Sequence, residues 1–317
     1  VLMHNFCTLF DSHYLTRGVA LYESLLENCP EFHLYIYAFD DVSFEILVSL
    51  NLSHATIVSL GELEDEALLE VKPTRSVGEY CWTCTPSIIK HAIETYQLPF
   101  CTYLDADIYF FADPAPLIDE LGDGSILITE HRYTSEYNQT KNSGIYCVQF
   151  TTFKNDTSGM SALNWWREAC IEWCYNRVED GKFGDQKYLD DWTVRFEGVH
   201  VLQHLGGGVA PWNVQQYDLS DPRFEVVFYH FHGLKFIQNQ MVNLGKYKYT
   251  PAVLSRVYEP YISHIERINA QLVSISPVFS QHLSVVNEEI INPLRKFTRS
   301  LKGHYHVYKK SKFLCQN

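Results

Sequence analysis

Two carboxylates, Asp105 and Asp107, stand one residue apart between apolar runs at 100–104 and 108–111. Such runs of β-formers read as buried strand, with both acids at its carboxyl end. An unpaired buried carboxylate is costly. A divalent cation bound through hard oxygen ligands offsets that cost. The pattern therefore points to a metal held against a phosphate-bearing ligand. A solvated loop after a strand is the plainer reading, and the apolar setting and the segments below weigh against it.

Four further segments carry chemistry. Residues 8–14 end a first strand and open a helix, so Thr8, Phe10, Asp11 and Tyr14 are placed to hold a nucleoside base and ribose. No Gly-x-Gly occurs there, which excludes a dinucleotide cradle; a helix cap by Asp11 or Ser12 is the alternative. Lys141-Asn142-Ser143-Gly144 leads into a strand. Glycine there permits close backbone approach to a ligand, and Asn142 can bond hydroxyls in two directions, unless the segment is an ordinary turn. Gly184-Asp185-Gln186 heads a helix, where a carboxylate and an amide face a sugar or merely cap. The strand at 226–230 runs on into His230, His232, Gly233 and Lys235. Imidazole completes the shell of a manganese-type ion, and lysine beside glycine suits a diphosphate. At most one of His230 and His232 is expected to ligate unless the strand has ended. Separately, Gly206-Gly207-Gly208 precedes Trp212-Asn213. That is either an exposed indole for stacking on a sugar face or a tight turn with a packed tryptophan.

The elements that must position these groups alternate along the chain. Strands are expected at 5–10, 33–39, 55–60, 100–104, 125–129, 144–150 and 225–231. Helices are expected at 15–28, 41–50, 61–70, 85–96 (Thr85 as cap, Pro86 at the first position), 160–178, after 184, at 251–272 and at 286–301. This order predicts an α/β protein with a Rossmann-like, mixed, mostly parallel sheet and helices on both faces. Ligands of such sheets gather at the carboxyl ends of strands, so Asp11 and Asp105 should converge.

The 317 residues carry a net charge of −13, which argues against general nucleic-acid binding. Residues 294–317 hold seven basic residues and no acid, leaving −20 on the remainder. A basic tail on an acidic body suggests docking to an anionic membrane surface; a solvated terminal helix is the equal alternative. Nine cysteines without framework spacing predict reduced thiols and a cytoplasmic protein, with Cys81 and Cys84 buried and structural. No apolar stretch has the length of a membrane span and no signal peptide is visible.

Five motifs in order resemble the metal-dependent glycosyltransferases of the nucleotide-sugar-binding A-type fold, and within them family 8 and its bacterial relatives. These are Asp11 with Tyr14; Tyr-Leu-Asp-x-Asp at 103–107 with Asp113-Pro114; Asn142 to Gly144; Asp185-Gln186; and His230 with Gly233. The agreement runs from about residue 5 to 235. Two departures stand out: the family's Lys-Pro-Trp is missing, with Lys235 one place early, and the arginine expected between Glu79 and Ile89 is absent.

The resemblance implies a nucleotide-sugar-binding and catalytic domain over 1–250, with a nucleotide half at about 1–115 and an acceptor half at about 116–250. A helical C-terminal extension with the basic tail occupies 251–317. It implies Mn²⁺ or Mg²⁺ on Asp105, Asp107 and His230, and donor contacts from Thr8, Phe10, Asp11, Tyr14, Asp105, Ala106 and Lys235. Asp185, Gln186 and Asn142 would be catalytic, and Trp212, Asn213 and His232 would hold the acceptor. The implied reaction moves a hexosyl group from a nucleoside-diphosphate sugar to a hydroxyl of a glycan or lipid-linked acceptor. The expected setting is bacterial surface polysaccharide or lipopolysaccharide synthesis, at the inner face of the membrane. Retention of configuration is implied; inversion would need a base such as Asp185 or Glu130. A metal-dependent phosphohydrolase, a sugar nucleotidyltransferase and a non-catalytic glycan-binding protein remain the alternatives.

Overall fold

The computed structural model describes residues 3–281, 285–286 and 293–314. Its strands are β1 (His4–Phe10), β2 (Phe32–Ala38), β3 (Ala55–Ser59), β4 (Phe100–Leu104), β5 (Ile108–Phe110), β6 (Ile126–Glu130), β7 (Tyr146–Lys154), β8 (Val199–Val201), β9 (Phe228–His230), β10 (Lys235–Ile237), β11 (Met241–Asn243), β12 (Val285–Val286) and β13 (Val307–Lys309). Seven of them form one sheet in the order β3-β2-β1-β4-β7-β6-β8. The pairs among β1, β2, β3 and β4 are parallel. β7 runs antiparallel to β4 and β6, and β8 parallel to β6.

Both faces of this sheet are apolar. Phe6 and Phe10 of β1 join Leu34 and Ile36 of β2 in one core, while Cys7 and Leu9 join Tyr35 and Tyr37 in the other. Such strands need helices on both sides. Leu15–Asn28 and Glu259–Ile275 cover the first face; Val77–Thr95 and Thr157–Glu172 cover the second.

One expectation about an element is corrected. The helix expected from Thr85 begins at Val77, because Ser76 and Glu79 form a reciprocal capping box eight residues earlier. Pro86 lies inside it, where its missing N–H removes one helical bond. The helical C-terminal region packs back on the rest of the chain and also carries two short strands. Val253, Tyr258, Tyr261 and Ile265 enter the same core as Phe6, Thr16 Oγ1 donates to Asn269 Oδ1 at 2.7 Å, and β12 and β13 complete a four-stranded sheet with β10 and β11. The helix expected at 286–301 is seen as Pro293–Leu301; residues 287–292 lie outside the described residues.

Part of the tail's charge is used internally. Lys310 is buried and pairs with Glu266 at 2.8 Å, and Lys312 Nζ sits 3.6 Å from the Tyr308 ring centre. Among the described residues no helix is long and apolar enough to cross a membrane, and the eight described cysteines are free thiols.

Candidate active site

A cavity of about 690 Å³ opens at the carboxyl ends of β1 and β4, as the topology predicts. β4 delivers Asp105, whose backbone N–H donates to Gln149 O at 3.1 Å. A tight turn follows, with Ile108 N–H donating to Asp105 O. The chain then re-enters as β5, which pairs antiparallel with β9 in the register Ile108↔His230. Phe231 N–H donates to Asp107 O at 2.9 Å just beyond that register pair. This small second sheet is why His230 meets the acidic pair. Its Nε2 is 3.1 Å from Asp107 Oδ1 and 3.7 Å from Asp105 Oδ2. Its Nδ1 is 2.7 Å from Gln149 Oε1, which fixes the ring so that Nε2 faces the carboxylates.

Burial and charge act against each other here. Burial pushes the Asp105 carboxyl up to about 6, with His230 opposing and the Asp107 charge adding to the rise. Burial acts the same way on Asp107, yet the His230 charge and hydrogen bond outweigh it and hold that carboxyl at about 2. Burial would depress His230, but the Asp107 charge and hydrogen bond raise it well above its ordinary value. The imidazolium thus offsets the Asp107 charge. Two carboxylates and an imidazole clustered in a buried pocket are a donor set that fits a Mn²⁺-type ion. Cys147 stands with them: one donor atom each from Asp105, Cys147 and His230 lie within 4.8 Å of one another.

Asp185 enters from the turn after Phe183-Gly184. It is almost wholly buried, and its Oδ2 has no hydrogen-bond partner among the described residues. Burial, then repulsion from Asp105, push its carboxyl up to about 7. Trp166 Nε1 donates to its backbone oxygen at 2.9 Å and locks the turn. Gln186 Nε2 donates to Ser143 O, and Asp190 Oδ1 accepts from Ile145 N–H, so segments 140–145 and 185–190 are clipped together. Gly144 serves that clip. With φ +94°, a Cβ there would meet Asp190 Oδ1 at 2.8 Å. The close approach expected toward a ligand is therefore toward Asp190.

Phe10, Asp11, Tyr14, Asp105, Ala106, Asp107, Asp185, Gln186, Trp212, His230 and His232 all line the cavity. Asp11 Oδ1 also accepts from the N–H groups of His13 and Tyr14, so it shapes its own turn. His230 and His232 both line the cavity, as residues two apart on an extended chain share a face.

Four residues are placed otherwise. Thr8 is fully buried behind the lining. Asn142 is exposed on the short helix Thr140–Ser143, with its neighbours Gln139 and Ser143 lining the cavity instead. Lys235 is exposed at the start of β10 and outside the lining. Asn213 is fully buried: its Nδ2 donates to His131 O and Gly208 O and its Oδ1 accepts from Ala210 N–H, which leaves nothing for an acceptor. Trp212 is buried rather than displayed. Its indole N–H donates to His131 O, and its ring lies edge-on to His230 and His232.

Reasoning from sequence missed several groups. Gln149 and Cys147 alternate on β7, and a glutamine inside an apolar strand was the available signal. Arg17, not Lys235, is the cation whose charge acts on Asp107; it donates to Leu234 O and lies over the Tyr14 ring at 4.6 Å. Trp82 and Phe183 form an aromatic wall where the family arginine was expected. Among the described residues lining the cavity none is a lysine or arginine.

YfnD of Bacillus subtilis (strain 168), described as an uncharacterized protein, is 31% identical over 292 residues, covering 87% of this chain and 93% of YfnD. The chain belongs to the YfnD family. No protein-family model matches it. Among solved structures, galactosyltransferase LgtC in complex with donor and acceptor sugar analogues is 12% identical, with TM-score 0.53 over 88% of this chain and all of LgtC. Glycosyltransferase GlyE of Streptococcus pneumoniae TIGR4 is 12% identical, with TM-score 0.54 over 87% of this chain and 64% of GlyE. The YfnD-family chain therefore has the A-type glycosyltransferase fold.

Proposed function

We propose that this YfnD-family protein is a metal-dependent glycosyltransferase that moves a sugar from a nucleoside-diphosphate sugar to a hydroxyl acceptor. One observation carries the reading: Asp105, Asp107 and His230 converge in the cavity, and Asp185, whose Oδ2 has no hydrogen-bond partner among the described residues, lines it too. Asp105, Asp107 and His230 would hold a Mn²⁺ or Mg²⁺ ion. That ion would supply Lewis-acid neutralisation of the departing diphosphate.

The chain's own residues do the rest. Asp11 and Tyr14, which also line the cavity, bind the nucleoside. Gln149 keeps the His230 ring turned to the carboxylates. Arg17 adds positive character near Asp107, where no lysine lines the pocket among the described residues. Trp82, Phe183, Tyr133 and Trp212 exclude water from the donor sugar and offer apolar faces to it. Asp185 and Gln186 sit where cationic character would develop at the anomeric carbon, and retention of configuration is the outcome we assign. A carboxyl held near neutrality is suited to moving a proton at the acceptor or leaving oxygen. We place the reaction in bacterial surface-glycan synthesis, with the exposed part of the basic tail facing anionic lipid.

The test is release of nucleoside diphosphate from a panel of nucleoside-diphosphate sugars, with Mn²⁺ and with EDTA. Metal-dependent release from at least one donor supports the proposal. Phosphate release from simple phosphomonoesters, or release of pyrophosphate, would replace it with a hydrolase or nucleotidyltransferase.

A further inference from the structure

We infer that Cys147 is a ligand of the same metal centre, which makes it a mixed carboxylate–imidazole–thiolate site suited to Zn²⁺-type and Co²⁺-type ions as well as Mn²⁺. The inference rests on the metal-dependent reading of the cavity, and extends it to a residue that the acid-x-acid pattern does not contain.

The geometry is built by β7. Its alternation turns Cys147 and Gln149 to the same side. Gln149 holds His230 Nδ1, and the Cys147 sulfur stands beside the same imidazole. Strand pairing keeps Cys147 there, in register with Thr129 of β6. The donor atoms of Asp105, Cys147 and His230 lie within 4.8 Å of one another, close enough to share one ion at ordinary bond lengths of about 2.0–2.3 Å. The thiol is buried and lines the cavity. Its immediate packing partners are Ala210 and Trp212, so a dry wall stands behind the sulfur. On binding, the sulfur–metal bond forms as the S–H proton leaves to solvent. A soft sulfur beside the hard Asp105 carboxylate shifts preference away from Mg²⁺, which favours all-oxygen shells, toward borderline ions.

The experiment loads the full-length protein with Co²⁺ and records its absorption spectrum beside that of Cys147→Ser. The wild type should show a thiolate-to-cobalt charge-transfer band in the near ultraviolet. Cys147→Ser should keep the weaker visible bands of bound Co²⁺ and lose the charge-transfer band, because among the described residues no other cysteine joins the donor cluster. Competition titrations should show the preference for Zn²⁺ over Mg²⁺ falling by about tenfold or more in Cys147→Ser.

Bound Co²⁺ with no charge-transfer band in the wild type overturns the inference, and that measurement needs no variant to fold. A band that persists in Cys147→Ser also overturns it. The function is judged separately. Sugar turnover without the band leaves the transferase reading standing and removes the thiol ligand; the band without turnover of any donor does the reverse.

Discussion

His230 Nε2 stands 3.1 Å from Asp107 Oδ1, on a strand remote in sequence from the acidic pair. Pairing of β5 with β9 makes that contact, and the Gln149 side chain orients it. Three elements thus converge on one point, and the behaviour of the site follows from removing them one at a time.

Removing Asp107 strips the cluster of the carboxylate held at about 2. Asp107→Ala should lower turnover by about 10²–10³-fold or more, since charge stabilisation in a dry site is lost. Unfolding should stay cooperative, because the strand backbone around residue 107 is unchanged. Activity assays with Mn²⁺ and a calorimetric melt check both halves. Wild-type rates would contradict the assignment.

Gln149 should act only through His230. Gln149→Met removes the acceptor at Nδ1 while keeping a side chain of similar length, and it also removes the partnerless Nε2. Metal affinity should fall about 10–100-fold. The melting temperature of the metal-free protein should change little. Titration of Mn²⁺ into wild type and variant reads the first, and a melt in EDTA reads the second.

Asp185 gives a stability signature with a definite sign. Its carboxyl is raised from 3.8 to about 7 by burial and by Asp105. At low pH it is neutral in both folded and unfolded chains and costs nothing. As pH rises from 3.8 to about 7 the unfolded chain ionises first, so folding stability falls, by as much as about 4 kcal/mol at pH 8. Asp185→Asn escapes this loss. In EDTA the variant should melt well above wild type at about pH 8, with the gap closing near pH 4, while turnover is lost. A variant less stable than wild type at about pH 8 would contradict the account.

Asn213 should prove structural. Its three hydrogen bonds hold the glycine-rich turn against His131. Asn213→Ala should cost about 2–4 kcal/mol in urea denaturation, because buried backbone groups lose their partners. The Michaelis constant for acceptor should not change at temperatures where the variant is folded.

Much of this fold was legible before any coordinates. The apolar runs that become β1, β2 and β4 carry large side chains on both faces, and that pattern belongs only to a strand covered on both sides. The Val77–Thr95 helix was misplaced because Thr85-Pro86 imitates a helix start, while the true start is a capping box whose reciprocal bonds outweigh one proline inside the helix. Asp105, Asp107 and His230 could be named from their types and order. Cys147, Gln149 and Arg17 could not, since their roles arise from sheet alternation and from a helix facing the site. Lys235 and Asn213 have the right chemistry, but one points to solvent and the other spends its hydrogen bonds on its own turn. Trp212 looked like a display residue beside three glycines; Gly206 is instead a packing requirement, because a Cβ there would fall 2.2 Å from Glu225 O.

The most direct test of the central claim is a thermal-shift titration of nucleoside diphosphate, with Mn²⁺ present and absent, on wild type and Asp107→Ala. With Mn²⁺, saturating nucleotide should raise the wild-type melting temperature by about 5 °C or more. The rise should vanish in EDTA and in the variant. An equal rise in all three conditions would mean that no ion joins these carboxylates to the diphosphate, and the account would fail.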